Sequence, residues 1–218
     1  MPIGAFVVRT ADRVVLIDAG VGDVHNEMFD GGALLDSLAA LDVAPGDVDT
    51  ILCTHLHDDH GGWLVRGDEP TFPRAAVRFG AGEWQQFVDG AHPLDSRRRS
   101  LEMLAAADRI ELIDRDGELV APGITARATP GHTLGHTCFV VASGDERAMF
   151  LGDVIHCPVQ LAEPDWQFIF DVDPDTATAT REVLLRELES THTWAVPAHF
   201  PGLQAGRILP GTGRRYWS

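Results

Sequence analysis

The stretch that most constrains this chain runs from Cys53 to Gly62 and reads Cys-Thr-His-Leu-His-Asp-Asp-His-Gly-Gly. It follows an apolar run, Thr50-Ile51-Leu52, that is typical of a buried strand. The motif therefore begins where a strand ends and a loop or helix starts. Any fold of this chain must place three imidazoles and two carboxylates, crowded within six residues, at the end of that strand.

These side chains are the donors that first-row metals prefer. Imidazole suits zinc, iron and nickel, and a carboxylate adds negative charge. A single tetrahedral ion seldom takes so many donors from one loop. The crowding therefore indicates two ions, about 3.5–4 Å apart as in two-metal hydrolytic sites.

The motif His-x-His-x-Asp-His resembles the signature of the metallo-β-lactamase superfamily. The rest of the family pattern follows in order, as a Gly-His in a turn, a Gly-Asp after an apolar strand, and a late His after another strand. The full set of matching positions is His55, His57, Asp59, His60, His132, Asp153 and His199. The resemblance covers nearly the whole chain.

The family fold is an αββα sandwich, in which two mixed sheets are flanked by helices and the site lies at the top, between the sheets. The residue pattern independently favours an α/β layered fold, because strands and helices alternate and the candidate ligands follow strand ends. Asp173-Pro174 predicts a helix start, with Asp as N-cap and Pro at the first helical position. No repeat or low-complexity linker interrupts the chain, so we predict one domain over residues 1–218.

The start of the chain departs from the family pattern. Relatives usually carry additional strands before the segment that resembles Ile3–Asp18, so this chain is short at the N-terminus, either naturally or by truncation. A bare sheet edge there would be covered by a second subunit, which predicts a homodimer.

The resemblance also implies how the ligands divide. His55, His57 and His132 hold the first ion, Asp59, His60 and His199 hold the second, and Asp153 bridges both. Three neutral imidazoles leave the first ion strongly positive, and zinc can lower the pKa of a bound water to about 7. A hydroxide shared by the ions is then the nucleophile, while the second ion, whose charge Asp59 lowers, binds the departing oxygen.

The metal is predicted to be zinc. Oxygen-reducing diiron relatives carry Glu where this chain has His57, which favours a hydrolytic site, although iron, manganese and cobalt accept the same donors. Asp18 matches an early family motif, and it is either the hydrogen-bond partner of a ligating His or a turn residue before Ala19-Gly20. We interpret His136 as structural.

Two segments, 153–160 and 164–174, resemble the lactonase and methyl-parathion-hydrolase-like branch. Quorum-quenching lactonases have a substrate-contacting Tyr three residues after the bridging Asp, where this chain has His156. An imidazole can donate the same hydrogen bond, act as a general acid, or only line the pocket. The predicted catalytic residues are therefore Asp59, Asp153 and His156.

Aromatic side chains supply a candidate pocket wall. Trp166, Phe168 and Phe170 alternate at a spacing of two, which would place them on one side of an extended segment. With Trp63 and Phe87 they would form an apolar wall typical of small-molecule pockets. These aromatic residues are equally well explained as members of the hydrophobic core.

The sequence predicts a dinuclear metal-dependent hydrolase that uses a metal-bridging hydroxide to cleave lactones, aryl esters or phosphotriesters. The alternatives are a glyoxalase II-like thioesterase, which the absence of Lys disfavours, a β-lactamase, and a metal-binding module without activity. A net charge of −16 argues against nucleic-acid partners. The run Arg97-Arg98-Arg99 is interpreted as a solvated helix face.

No apolar run approaches 18 residues, and the chain start lacks the pattern of a signal peptide. These features predict a cytoplasmic protein with no membrane partner. The three Cys have no paired spacing, which predicts reduced, buried thiols.

Overall fold

The computed structural model describes residues 1–10, 12–90, 95–212 and 214–218, and for residues 95 and 96 it describes the backbone only. Contacts along the chain group these residues into two compact units. The first unit is Ile3–Ile113, and the second is Asp114–Ser218 together with Met1–Pro2. The single domain over residues 1–218 stays a prediction.

The first unit contains seven strands and four α-helices among its described residues. The strands are β1 (Phe6–Arg9), β2 (Val14–Ile17), β3 (Thr50–Leu52), β4 (Val65–Arg66), β5 (Glu69–Pro70), β6 (Ala76–Gly80) and β7 (Ile110–Ile113). The helices are α1 (Ala33–Ala40), α2 (Asp58–Gly61), α3 (Ala81–Trp84) and α4 (Asp95–Ala106), with 3-10 and π turns at Pro45–Asp47 and Gln85–Asp89.

The main sheet of this unit has the strand order β1-β2-β3-β6-β7. The β1–β2 pair is antiparallel, and the other pairs are parallel. Other elements usually cover parallel strands on both faces of the sheet, so the sequences of these strands are continuous apolar runs. Val15, Leu16 and Ile17 of β2 are accordingly fully buried. Leu101 and Leu104 of α4 belong to the hydrophobic core of this unit.

Parallel pairing places the carboxyl ends of β2, β3 and β6 at one edge of the sheet. The register pairs Ile17 with Leu52 and Leu52 with Arg78. Asp18 then donates its backbone N–H to the carbonyl of Leu52 at 2.9 Å, and Cys53 donates to Arg78 at 2.9 Å. The residues that follow β2 and β3 therefore leave the sheet together.

The second unit contains seven strands and two α-helices among its described residues. The strands are β8 (Leu119–Ala121), β9 (Ile124–Ala128), β10 (Thr137–Ser143), β11 (Glu146–Gly152), β12 (Trp194–Pro197), β13 (Ile208–Pro210) and β14 (Arg215–Trp217). The helices are α5 (Val159–Ala162) and α6 (Pro174–Ser190), with a 3-10 turn at Pro201–Leu203.

Helix α6 begins where the sequence predicts. The Asp173 side chain accepts a hydrogen bond from the Thr176 N–H at 3.0 Å, which is the interaction of an N-cap. Its buried residues recur every three or four positions, so one face of the helix covers the sheet. They are Ala177, Arg181, Leu184, Leu185 and Leu188.

The main sheet of the second unit has the order β12-β11-β10-β9-β8. All pairs are antiparallel except β11–β12, which is parallel and aligns Gly152 with Pro197. At the same edge, Ala128 at the end of β9 pairs with Thr137 at the start of β10. The β9–β10 turn and the segments that follow β11 and β12 therefore emerge together.

Several elements were not predicted, namely the β4–β5 ribbon, the β13–β14 hairpin, and the short helices α2 and α5. Residues 163–173 contain no strand, and turns at 164–165 and 169–170 interrupt the extended segment that the aromatic spacing indicated. Among the residues described, no helix is long and apolar enough to cross a membrane.

Candidate metal centre

Four of the predicted ligands form a first donor cluster after β3, namely His55, His57, Asp59 and His60. The Nε2 atom of His55 lies 3.0 Å from the Nδ1 atom of His57. The ring centroids of His55 and His60 are 4.0 Å apart, and Asp59 Oδ2 lies 3.8 Å from His60 Nε2. The first unit thus brings these four side chains together within a short loop and the first turn of α2.

Asp18 orients one of these imidazoles. Its Oδ2 accepts a hydrogen bond from His60 Nδ1 at 2.9 Å, while Oδ1 accepts from the backbone N–H of Thr54 at 2.7 Å. Its backbone has a φ of +58°, a left-handed conformation that Asp and Asn tolerate better than other side chains. Of the two roles that the sequence left open, the contact with His60 is the one present, because residues 18–20 form no turn.

Two buried charged residues support the loop, and the sequence identified neither of them. Glu83 accepts the N–H of Leu56 at 2.8 Å. Arg97 donates to the carbonyl of Gly61 and approaches Asp58 at 3.3 Å. Burial lowers the pKa of Arg97, and the Asp58 carboxylate opposes that shift. The solvated-face interpretation is wrong for Arg97, which is only 6% exposed because its guanidinium is held against α2.

Three apolar or weakly polar residues near the first donor cluster lie in the core. Trp63 and Phe87 are 4% and 1% exposed, although the Phe87 ring also meets the edge of His57 at 5.9 Å. Burial raises the pKa of the Cys53 thiol well above its ordinary value. Cys53 is fully buried and belongs to the hydrophobic core of the first unit.

The second donor cluster surrounds Asp153 with imidazoles. His132 Nε2 lies 3.4 Å and His156 Nε2 lies 3.0 Å from Asp153 Oδ2, while His199 Nε2 lies 3.1 Å from Oδ1. All four side chains are nearly fully buried. The ligand atoms of His132, Asp153 and His156 lie within 4.8 Å of one another, a spacing that can hold a metal ion.

The outer nitrogens of two of these imidazoles are fixed by acceptors. His132 Nδ1 contacts Asp171 Oδ1 at 2.8 Å, and His199 Nδ1 contacts the carbonyl oxygen of Pro2 at 2.8 Å. A carbonyl oxygen can only accept, and an ionised carboxylate can only accept, so both Nδ1 atoms carry the proton. This assignment leaves Nε2 of each neutral ring as a lone-pair donor.

His136 has a different role. Its Nε2 accepts the backbone N–H of Asp153 at 3.0 Å, so its Nδ1 carries the proton and donates to Thr129 Oγ1 at 2.8 Å. The lone pair of His136 is therefore used to hold the Asp153 backbone. The structural interpretation of His136 agrees with this position, which is 1% exposed.

The second donor cluster fits a metal cation. The Nε2 lone pairs of His132 and His199 face the oxygens of Asp153 at 3.4 and 3.1 Å. Lone pairs at such distances repel unless a proton or a cation lies between them. His156 Nε2 also faces Asp153 Oδ2 at 3.0 Å. Outer hydrogen bonds of this kind are those that orient metal-ligating His side chains.

His156 is held by aromatic stacking. Its ring lies on Phe168, with centroids 3.6 Å apart and planes at 28°. Burial lowers the pKa of His156, and the Asp153 carboxylate acts in the opposite direction. Trp166 and Phe170, the other predicted wall residues of this segment, are 57% and 54% exposed.

Known proteins with metal-dependent hydrolase folds resemble this chain in sequence and in structure. The family model described as the metallo-beta-lactamase superfamily matches residues 2–199. The acyl-coenzyme A thioesterase MBLAC2 of Bos taurus is 26% identical over 216 residues, which are 94% of this chain and 75% of that protein.

Two solved structures are similar over 99% of this chain and 78% of their own, each at 26% identity. AidC, described as a dizinc quorum-quenching lactonase in complex with a product, gives a TM-score of 0.89. AbOPH, described as a hydrolase in the beta lactamase superfamily, gives 0.85. The predicted fold class, two mixed sheets flanked by helices, is confirmed.

Proposed function

This chain belongs to the metallo-beta-lactamase superfamily, and from that premise we propose that it is a dinuclear metal-dependent hydrolase of small apolar esters. Lactones, aryl esters and phosphotriesters are the substrate classes. The observation that carries the proposal is the set of three buried imidazole nitrogens around Asp153, at 3.0–3.4 Å from its oxygens. The likeness to a lactonase and to a hydrolase over nearly the full chain supports it.

The proposal keeps the ligand set that the family resemblance implies. Residues of the first donor cluster supply four ligands, and His132, Asp153 and His199 of the second donor cluster supply three. Zinc is the proposed metal, because neutral imidazoles and carboxylates suit it, and iron, manganese and cobalt are the alternatives.

Bound divalent cations would supply a water that loses its proton near neutral pH and a Lewis acid for the departing oxygen. The chain's own residues would orient the substrate and exclude water from it. Asp59 would lower the positive charge on its side of the site. Burial lowers the pKa of His156, and its ring stacks on Phe168. We assign it a hydrogen bond to a substrate oxygen, with Trp166 and Phe170 forming an apolar wall that excludes water.

The first test is elemental analysis together with a panel of lactones, aryl esters and phosphotriesters. About two metals per chain and turnover that chelation abolishes are expected. Asp153→Asn should reduce kcat/KM by more than about 100-fold, because loss of an outer partner alone costs about 10–100-fold. Asp145→Asn, in the exposed β10–β11 turn, is the matched control and should retain activity.

Intact turnover in Asp153→Asn would refute the proposal. Two metals with no turnover on the whole panel would instead favour a metal-binding module without activity. Absence of metal after reconstitution would contradict the ligand set itself.

A thioester substrate is the second candidate. It is favoured by one observation, the acyl-coenzyme A thioesterase that matches 94% of this chain. Acyl thioesters and lactones of equal acyl length should therefore be compared by kcat/KM in one preparation. A higher value for the thioester would replace the oxygen-ester assignment while leaving the metal chemistry unchanged.

A homodimer formed through β1, an edge strand of the first sheet, stays part of the proposal. A monomeric mass from solution scattering would contradict it. The cytoplasmic location stays a prediction.

A further inference from the structure

The most unusual buried charge in the second unit is Arg181 of α6. Its side chain is 2% exposed and is among the largest fully buried side chains of the protein. Its guanidinium donates to two main-chain carbonyls, those of Pro164 at 3.0 Å and Trp166 at 2.9 Å. A buried charge is costly unless hydrogen bonds compensate it, so this arrangement needs an explanation beyond packing.

Gln160 of α5 converges on the same carbonyl. Its Nε2 donates to Trp166 O at 3.1 Å, and its Oε1 accepts the backbone N–H of His156 at 2.7 Å. Gln160 is 3% exposed, so these bonds are sheltered from water. We name Arg181 and Gln160 the latch, and residues 163–173 the strap that it holds.

The strap contacts two residues of the second donor cluster, His156 and His132. Phe168 stacks on the His156 ring at 3.6 Å. Asp171 accepts from His132 Nδ1 at 2.8 Å with one oxygen, and from the Phe168 N–H at 3.1 Å with the other. The strap backbone is also joined to His132, because the Val172 N–H donates to its carbonyl at 3.1 Å.

Inside the strap, short-range hydrogen bonds run from the Trp166 N–H to Glu163 O at 3.1 Å and from the Asp171 N–H to Phe168 O at 3.0 Å, beside the bond from Phe168 to the Asp171 carboxylate. The strap contains no helix or strand. Its large apolar side chains mostly face solvent, with Trp166 57%, Ile169 86%, Phe170 54% and Val172 49% exposed. Segments with few buried apolar contacts open most easily. The hydrogen bonds of the latch therefore supply order that hydrophobic burial does not.

We propose that Arg181 is a positioning residue, which acts through the strap to fix the ring orientations of His132 and His156. Gln160 is the second member of this latch. The inference rests on the proposed metal site for its consequence, since His132 is one of the predicted ligands. The Phe168 N–H of the strap donates to the Asp171 carboxylate, so we expect loss of the latch to displace Asp171 and to weaken its contact with His132 Nδ1.

The test compares Arg181→Met with Arg186→Met. Met removes the donors while keeping an unbranched apolar stem, and Arg186 lies on the same helix with a side chain that is 72% exposed. The first readout is the imidazole 15N spectrum of the metal-free protein, in which the His132 signals are assigned with His132→Gln. The second readout is cobalt affinity, measured by competition with a chelator on folded protein.

In Arg186→Met the Nδ1–H form of His132 is expected to persist. In Arg181→Met that form should exchange with the Nε2–H form, and one cobalt ion should bind about 10–100-fold more weakly, the usual effect of losing an outer partner. In Arg181 a single nitrogen, Nη2, makes both carbonyl contacts, so Arg181→Lys, which keeps a cationic nitrogen donor on a shorter side chain, should restore part of the affinity. A purely structural role would lower stability without changing either readout.

An unchanged His132 spectrum and cobalt affinities within about twofold of Arg186→Met would overturn the inference. If Arg181→Met does not fold, Gln160→Met gives the same test, with a smaller change in the same direction expected and no change overturning the proposal. The spectrum needs neither metal nor substrate. Failure of the proposed hydrolase function would therefore be seen separately, as absence of metal or turnover in the unsubstituted protein.

Discussion

The substitution Asp18→Asn isolates the carboxylate that orients His60. Asn fills the same volume and tolerates the left-handed backbone at this position, so the substitution changes hydrogen bonding without adding strain. The carboxylate accepts from Thr54 N–H at 2.7 Å and from His60 Nδ1 at 2.9 Å. An amide offers one acceptor atom in place of two, so it cannot satisfy both donors.

The expected losses of metal affinity and of stability in Asp18→Asn follow from these contacts. If the amide oxygen keeps the Thr54 N–H, its NH2 group faces His60 and forces the proton of that ring onto Nε2. Loss of such an outer partner weakens metal binding by about 10–100-fold, or about 1.4–2.7 kcal/mol. The metal-free protein should also lose about 1.5–3 kcal/mol of unfolding free energy, the usual contribution of a hydrogen bond to a charged group.

Metal affinity is measured by competition with a chromogenic chelator, and stability by urea unfolding of the metal-free protein. Asp42→Asn is the matched control, since Asp42 has the same left-handed backbone, with a φ of +55°, but is exposed. Equal metal affinities for the two variants would refute the role of Asp18. A loss of stability alone would mean that Asp18 stabilises the loop through Thr54 without orienting His60 for a metal.

Three further predictions concern α6 and its surroundings. Asp173→Ala removes the N-cap contact to Thr176 and should lower the unfolding free energy by about 0.5–2 kcal/mol in urea titrations, with no effect expected from an exposed mid-helix Ala substitution. Leu184→Ala, at 2% exposure, should cost about 2–5 kcal/mol, and a loss below about 1 kcal/mol would contradict its core position. The hydrogen bond from Arg215 lowers the pKa of Glu182 below its ordinary value, so stability from this pair is present above about pH 4.5 and is lost as pH falls through the lowered pKa. The stability difference between the unsubstituted protein and Glu182→Gln should therefore vanish in acid, and a difference independent of pH would contradict the assignment.

Local sequence determined the features that depend on neighbouring residues. The motif after β3 places four donors in one loop because the chain brings them together covalently. The start of α6 follows from Asp173-Pro174, since a cap acts within one turn. Apolar runs such as Val14–Ile17 become buried strands because few other structures bury a continuous run of β-branched residues.

Periodicity failed where tertiary contacts override it. The alternation of Trp166, Phe168 and Phe170 indicated an extended segment, yet turns interrupt it at 164–165 and 169–170, and Arg181 and Gln160 both bind the Trp166 carbonyl. A buried Arg is rare enough that composition gives no signal for it. Its spacing with Ala177, Leu184 and Leu188 on one helix face was the available indication.

The sequence by itself determined which side chains could bind metal and the order in which they occur. It also offered Asp18 as the partner of a ligating His, but only the tertiary structure assigned Asp18 to His60 and identified the atoms that hold His132 and His199. His60 and Asp18 are 42 residues apart, His132 and Asp171 are 39 apart, and His199 and Pro2 are 197 apart. A hydrogen-bond partner is chosen by distance in space, and a backbone carbonyl such as that of Pro2 is the same in every residue type. No pattern of side chains can therefore identify it before the chain has folded.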